Sequence, residues 1–371
     1  MTKRIIQFGT SRFLQAHADL FIHEARIAGQ DIGPITVVKT TRGTERSGRV
    51  SAFASEMGYP VIIRGLVDGK IVNQTLLVKS IDDALLADRD WLKLKELFIS
   101  EAEVVISNVS ETGYKVLAED ESELPTADHA PACFPAMLLS LLNARYRAGG
   151  KPILILPCEL ISENGRVLRQ ILAGLAHKWK LDAVFNKWMA THVTICDTLV
   201  DRIVSEAIEP IGAIAEPYAL WAIKREASCD IPFTHSAVIV TDDLEPYLRL
   251  KLHILNLGHT FLAEIWQTEK RPTDETVREI LGDAAIKMRL TDLYRDEVIP
   301  GFASYGMADV ATAYVLSTLE RFENPFLNHR LSDIAQHHRL KIERRVVDFI
   351  TWIKLRSPTA NITRLEALAL R

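Results

Sequence analysis

Short apolar runs of strand length recur through the first two thirds of this 371-residue chain and then stop. Arg4-Ile-Ile-Gln-Phe-Gly9, Ile35–Lys39, Ala102–Ile106, Pro152–Pro157 and Ser236–Thr241 are rich in β-branched or aliphatic residues and end in glycine, proline or polar residues, as strands do. They are apolar without alternation, which fits parallel strands covered on both faces. Between them lie helical periods, for instance Phe13–Ala28 and Phe134–Tyr146. After Thr241, Asp242-Asp243-Leu-Glu-Pro246 reads as a capped helix start with proline in the first turn, and from there to Arg371 only helical periods remain. A chain of this length exceeds one small core. The expected architecture is an α/β domain over 1–245 followed by an all-α domain over 246–371.

The first strand, the turn Gly9-Thr-Ser11-Arg12 and the helix from Phe13 form a strand, tight turn and helix at the start of the chain. Doubly wound folds hold a dinucleotide pyrophosphate in such a turn, on the free N–H groups of a helix N-terminus. Only Gly9 survives of the usual G-x-G-x-x-G pattern, so alone the turn is equally an ordinary βα connection. With Ile35–Lys39 it closes a βαβ unit of the expected length, and the N-terminal domain reads as Rossmann-type. Gly9, Ser11, Arg12 and Phe13 are the candidate cofactor residues there. Lys39, Thr40, Thr41 and Arg42 stand where an NAD site often has an acid, so the choice between NAD and NADP stays open; Arg42 is either a 2′-phosphate partner or a solvated loop charge. Other strand ends are also polar. Asn108 and Glu111 follow the strand ending at Ile106, and Cys158-Glu159 and Asn164 follow Pro157, where open parallel sheets bind ligands. Val61–Val67, Asp68-Gly69 and Lys70–Val72 predict a hairpin. Asp201-Arg202, inside an apolar run, is either a surface ion pair or a buried one at a site.

Composition excludes several classes. A net charge of −4 gives no electrostatic support for nucleic-acid or anionic-membrane binding, and no apolar run approaches membrane-spanning length. Four cysteines without CxxC pairs argue against a zinc cluster or disulfide framework and suit a reducing compartment. The N-terminus lacks a signal-peptide core. The expectation is a cytoplasmic protein acting on small molecules, with no metal site and no obligate protein partner.

The segment Lys251–Thr260, KLHILNLGHT, stands apart. At about 100° per residue Lys251, Asn256 and His259 fall within an arc of roughly 140°. Leucines and isoleucines occupy nearly every other direction, so the helix reads as buried. Singly, the lysine would snorkel and the other two would satisfy backbone groups. Three on one arc point to a site, one able to face a cofactor cleft between the domains.

The K-x4-N-x2-H pattern of Lys251, Asn256 and His259 resembles the signature of the polyol-specific long-chain dehydrogenases, the mannitol dehydrogenase family. RIIQFGTSRFLQA, VIIRGL, ISNVSETG, ILPCELISENG, DTLVDRIV, VTDDLEPYLRLKLHILNLGHT and RFENPFLNH extend the resemblance almost end to end, most closely to its tagaturonate reductase (altronate dehydrogenase) branch. The resemblance implies hydride transfer between NAD and a secondary alcohol without zinc. Lys251 would be the general base, Asn256 an oxyanion donor, and His259 a substrate holder roughly 12 Å along the axis from the lysine. Asp201 would tune the lysine or assist proton transfer, and Arg321 and His329 would line the substrate pocket. Leu160 stands where mannitol dehydrogenases carry a second oxyanion-donating asparagine, so either Asn164 replaces it or Asn256 acts alone. The chain also lacks the additional helical tail of larger members, which implies a more open pocket. With no strong anion cluster evident beyond Arg321 and His329, the expected substrate is a sugar alcohol, a hexitol or pentitol such as altritol, mannitol or arabinitol. The alternative is altronate/tagaturonate oxidoreduction. A phosphorylated polyol is a third reading, and a non-catalytic nucleotide-binding sensor a fourth.

Overall fold

Strand pairing in the computed structural model, which describes residues 4–43, 47–122, 124, 128–227 and 230–371, gathers the apolar runs other than Ser236–Thr241 into one parallel sheet. The strands are β1 (Arg4–Phe8), β2 (Ile35–Lys39), the hairpin β3 (Tyr59–Val67) and β4 (Lys70–Val78), β5 (Ile81–Leu86), β6 (Ala102–Ser107), β7 (Ile153–Pro157), β8 (Val193–Ile195), β9 (Thr198–Asp201), β10 (Val204–Ala207), β11 (Ala213–Ala215), β12 (Leu220–Lys224) and β13 (Val238–Thr241). The main sheet runs β5-β2-β1-β6-β7-β8, with every neighbouring pair parallel. Counted in chain order this is the 3-2-1-4-5-6 arrangement of the doubly wound Rossmann fold, whose direction reverses between β1 and β6. The expected α/β fold with a helical second half is the observed one. Smaller sheets run β10-β11-β3-β4 and β13-β12-β9. The Asp68-Gly69 turn of the hairpin has positive φ at both residues, 50° and 71°, as the expected primed turn requires.

Two compact units emerge. The first comprises 1–62, 75–215 and 219–244; the second 63–74, 216–218 and 245–371. In the first, the sheet packs against a core that includes Phe8, Phe98, Phe134, Leu138 and Leu172. The second is helical, around Ile254, Leu257, Tyr294, Phe302, Val346 and Phe349. Among the described residues no helix is long and apolar enough to cross a membrane. Cys133, Cys158 and Cys196 are buried thiols; Cys229 lies outside the described residues.

The expected helix Phe13–Ala28 is two pieces, Arg12–Gln15 and Ala18–Ile27. The break follows from tertiary bonds: the Arg202 guanidinium donates to the Ala16 carbonyl at 2.6 Å, and the Gln15 side chain accepts from Gly212 N–H at 2.8 Å. Immediately beyond, Asp19 is fully buried, accepting from the Tyr59 hydroxyl at 2.8 Å, while its own carbonyl accepts from Ser80. Burial pushes this carboxyl up to about 7, against the opposing hydrogen bonds of Tyr59 and Gln7. Because the folded value lies above the unfolded one, the contribution of the protonated acid is complete below about pH 4 and is lost as pH rises through about 7. Asp19→Asn should therefore gain on the wild type in thermal unfolding as pH climbs through that window and hold a constant difference above it. Parallel stability curves would assign the burial cost elsewhere.

Candidate functional site

In the first unit the candidate residues collect at the C-terminal ends of β1, β6 and β7. Gly9 has φ of +111°, and a Cβ there would overlap the Asn108 carbonyl oxygen, so no other residue lets β1 and β6 close up at this turn. Its N–H donates to Val38 at 3.0 Å. Ser11 caps the short helix by accepting from Leu14 N–H at 3.2 Å, and Phe13 stacks on His17. Arg12 and Thr41 are exposed. Lys39 turns back to donate to Gly43 O at 2.9 Å, anchoring the loop that bears Thr41. Arg42 pairs at 3.6 Å with Glu119, both more than half exposed, in keeping with a solvated charge.

The polar residues of the neighbouring strand ends bond mostly to one another. Asn108 donates through its side chain to Cys158 O at 2.7 Å. Buried Glu159 accepts from Ser107, Val109 N–H and Tyr114 at 3.0–3.1 Å, and burial raises its carboxyl above the usual range in spite of them. Glu111 begins a short 3-10 turn, Glu111–Tyr114; its side chain lies outside the described residues. Asn164, expected as a substrate contact, is wholly buried. Its amide donates to the carbonyls of Pro157, Glu159 and Thr198, and its oxygen accepts from Gly165 and Thr198 N–H. It ties β7 to β9 with both ends of its side chain engaged. Leu160, at the position of the second family donor, is exposed. Asp201 ends β9, buried, opposite Leu220 of β12.

In the second unit the K-x4-N-x2-H segment departs from the geometry expected of it. Helix Glu245–Leu250 runs without interruption into a π-helical stretch, Lys251–Asn256, and then into helix Leu257–Thr268. In the π stretch N–H groups bond five residues back, as Leu257 does to Leu252, so residues five apart stand one turn apart. Lys251 and Asn256 bear that spacing. The arc of roughly 140° assumed an α-helical 100° per residue; the wider turn brings the pair nearly into line. Both are partly buried, whereas His253, Gly258, His259 and Thr260 are buried.

Side chains from two other helices secure this stretch. The Tyr294 hydroxyl donates to Ile254 O at 2.9 Å. Arg345 donates to Asn256 O at 3.2 Å and to Thr260 Oγ1 at 3.0 Å. His253 is neutral, burial pushing it down to about 4. With Arg249 donating to Nε2 at 3.0 Å, its Nδ1–H donates to Arg345 O at 3.0 Å.

His259 packs against Phe322 and His329, ring centroids 4.4 and 4.8 Å away. Burial first, then the positive fields of His329, Arg345, Arg321 and Lys341, hold it well below the usual imidazole range. His329 is also lowered by burial, and its Nδ1 is a buried atom with no hydrogen-bond partner among the described residues. Lys341 donates to Ile334 O at 2.7 Å and is lowered by burial and by Arg345; burial pushes Arg345 down to about 10. Arg321 is held bidentately by Glu216 at 2.8 and 3.0 Å, both buried, with the Tyr218 ring 4.2 Å from its guanidinium. The second unit brings His259 together with His329 and Arg321, on the helical run that also carries Lys251 and Asn256. It adds Glu216, Tyr294, Lys341 and Arg345, which the sequence pattern did not single out. Among the described residues no group of three or more His, Cys, Asp or Glu is placed to hold a metal ion.

The Mannitol dehydrogenase Rossmann domain family matches residues 3–231, and the Mannitol dehydrogenase C-terminal domain family matches residues 243–370. An altronate oxidoreductase of Bacillus subtilis (strain 168) is 30% identical over 366 residues, 92% of this chain and 73% of its own length. One from Klebsiella pneumoniae (strain 342) is 30% identical over 93% of this chain and 74% of its own. In fold the chain is similar to a D-sorbitol dehydrogenase solved free of substrate, with a TM-score of 0.80 at 20% identity over 93% of this chain and 75% of that one. Pseudomonas fluorescens mannitol 2-dehydrogenase, solved with NAD and D-mannitol, gives 0.72 at 20% identity over 99% and 77%.

Removing one member of the buried Arg321–Glu216 pair leaves an uncompensated charge, at a cost of about 3–5 kcal/mol. Glu216→Ala should show that loss in urea unfolding, and the double variant Glu216→Leu, Arg321→Met should recover much of it. A single variant within about 1 kcal/mol of wild type would mean that the pair is solvated.

Proposed function

Because the chain belongs to the mannitol dehydrogenase family, we propose that it is an NAD-dependent dehydrogenase interconverting a secondary alcohol and a ketone on an open-chain sugar acid, of the altronate and tagaturonate type. The observation that carries the choice of substrate is the positive field converging on His259 from Lys341, Arg345 and Arg321. Two partly desolvated cations beside neutral imidazoles suit a carboxylate better than an uncharged chain end. The altronate oxidoreductase relatives support the same reading. Oxidation of a sugar alcohol such as altritol, mannitol or arabinitol is the second reading, favoured by one observation: Glu216 already neutralises Arg321.

Bound NAD would supply the acceptor for the hydride of the carbinol carbon. The residues at the switch point of the sheet fit a dinucleotide, since Gly9 lets the ends of β1 and β6 close up at the turn where this fold holds one. Gly9, Ser11, Arg12 and Phe13 would hold the pyrophosphate, Thr41 the adenosine ribose, and Asn108 and Glu111 the nicotinamide side. Lys251 takes the hydroxyl proton at Nζ. Asn256 donates to the same oxygen as negative charge grows on it. His259, neutral, and His329 orient the adjoining hydroxyls, and Lys341 and Arg345 face the carboxylate.

Initial rates of NADH formation with altronate, altritol, mannitol and arabinitol test this directly. The aldonate should be turned over in preference, and Lys341→Met should raise its KM about tenfold, roughly 1.4 kcal/mol, with little effect on any alditol. Turnover of the alditols with none of the aldonate would overturn the sugar-acid assignment in favour of the second reading.

A further inference from the structure

Gly258 lies inside the K-x4-N-x2-H segment yet has no part in the proposed chemistry, and a glycine within a helix costs about 1 kcal/mol relative to alanine. Its neighbour explains it. A Cβ at Gly258 would coincide with the hydroxyl of Tyr294, which crosses that gap to donate to Ile254 O at 2.9 Å. Ile254 O, the carbonyl four residues before Gly258, here accepts from Leu257 N–H and from the phenol as well. Two residues further along, Asn256 O is taken in the same way by Arg345 and Thr260 Oγ1, at 3.2 and 3.0 Å. Departures from α-helical pairing occur where an outside group engages the ladder of bonds, and both contacts lie at the C-terminal end of the π stretch.

We infer that Tyr294 and Arg345 are positioning residues, which hold Lys251–Asn256 in its π register and so set the lysine and the asparagine on one line. The inference rests on the proposed roles of those two side chains. A single substrate oxygen must lie within hydrogen-bond reach of both a base and a donor, about 3 Å from each. With α-helical pairing, residues five apart point roughly 140° away from one another, and one oxygen cannot serve both. In the π register they are one turn apart. Gly258 is the opening through which Tyr294 reaches the helix, and its presence in the segment is a requirement of register.

Tyr294→Phe keeps the ring and removes only the hydroxyl. It should lower kcat roughly ten- to a hundredfold while the KM for NAD stays within about twofold. In a Lys251→Ala background the same change should add no further loss to the residual rate, because the two act through one geometry. Gly258→Ala, which displaces the hydroxyl, should reproduce that signature. A folded Tyr294→Phe protein with wild-type kcat, or one losing the same factor with and without Lys251, overturns the inference. If Tyr294→Phe does not fold, Gly258→Ala and Arg345→Lys decide by the same two readouts. Wild-type kcat in Lys251→Ala alone would refute the base assignment itself, and the inference with it, whatever Tyr294→Phe does. Loss in Lys251→Ala with none in Tyr294→Phe refutes the positioning alone.

Discussion

A helix whose bonds run five residues back has a carbonyl ladder out of step with the α-helices on either side, and the carbonyls at the joint need other partners. At Lys251–Asn256 the carbonyls of Ile254 and Asn256 take added donors, the phenol of Tyr294 and the guanidinium of Arg345, carried by π-helical stretches of their own, Tyr294–Val298 and Glu343–Val347. Both of these stretches pack against Lys251–Asn256 in the second unit. The same contacts account for the glycine in the segment, for the neutral, singly oriented His253, and for the approach of a cation to Asn256. Disturbing any one of them alters the alignment of the two side chains on which the proposed chemistry depends.

Around that stretch the second unit is built with more charge than a helical core usually carries. Arg321 is balanced by Glu216, while Lys341 and Arg345 donate to backbone and hydroxyl oxygens, and to no carboxylate among the described residues. Partly desolvated cations of this kind cost stability. An anionic substrate would offset that cost on binding. His259 and His329 remain neutral in the same field, able to donate and accept toward hydroxyls without adding to the repulsion.

Much of the fold was legible in the sequence because its signals are local. Unbroken apolar runs between polar ends mark parallel strands, Asp68-Gly69 marks a primed turn, and the disappearance of strand runs after Thr241 marks the helical half. What escaped depends on partners far along the chain. β5, which no apolar run announces, is an edge strand whose Asp82 and Asp83 pair with Arg4 and Lys93. The helix after Gly9 breaks because Arg202, remote in sequence, takes the Ala16 carbonyl. Lys251, Asn256 and His259 stand out by residue type and spacing, but their mutual angle does not. A periodicity of 100° per residue is blind to a register set by Tyr294 and Arg345. Lys341, Arg345 and Glu216 lie in stretches with no local signal that separates a buried charge from a solvated one. Asn164 shows the converse: a polar residue beyond a strand end looks alike whether it meets a ligand or, as here, the backbone.

Removal of the substrate proton by Lys251 is the step on which every other proposed role depends, and the pH dependence of alcohol oxidation at saturating NAD and substrate probes it most directly. Wild-type kcat should rise with deprotonation of one group, a rise that disappears in Lys251→Ala and returns in part when a small primary amine is added. A Lys251→Ala protein that retains the wild-type pH profile, or a rate that no amine restores, would contradict it.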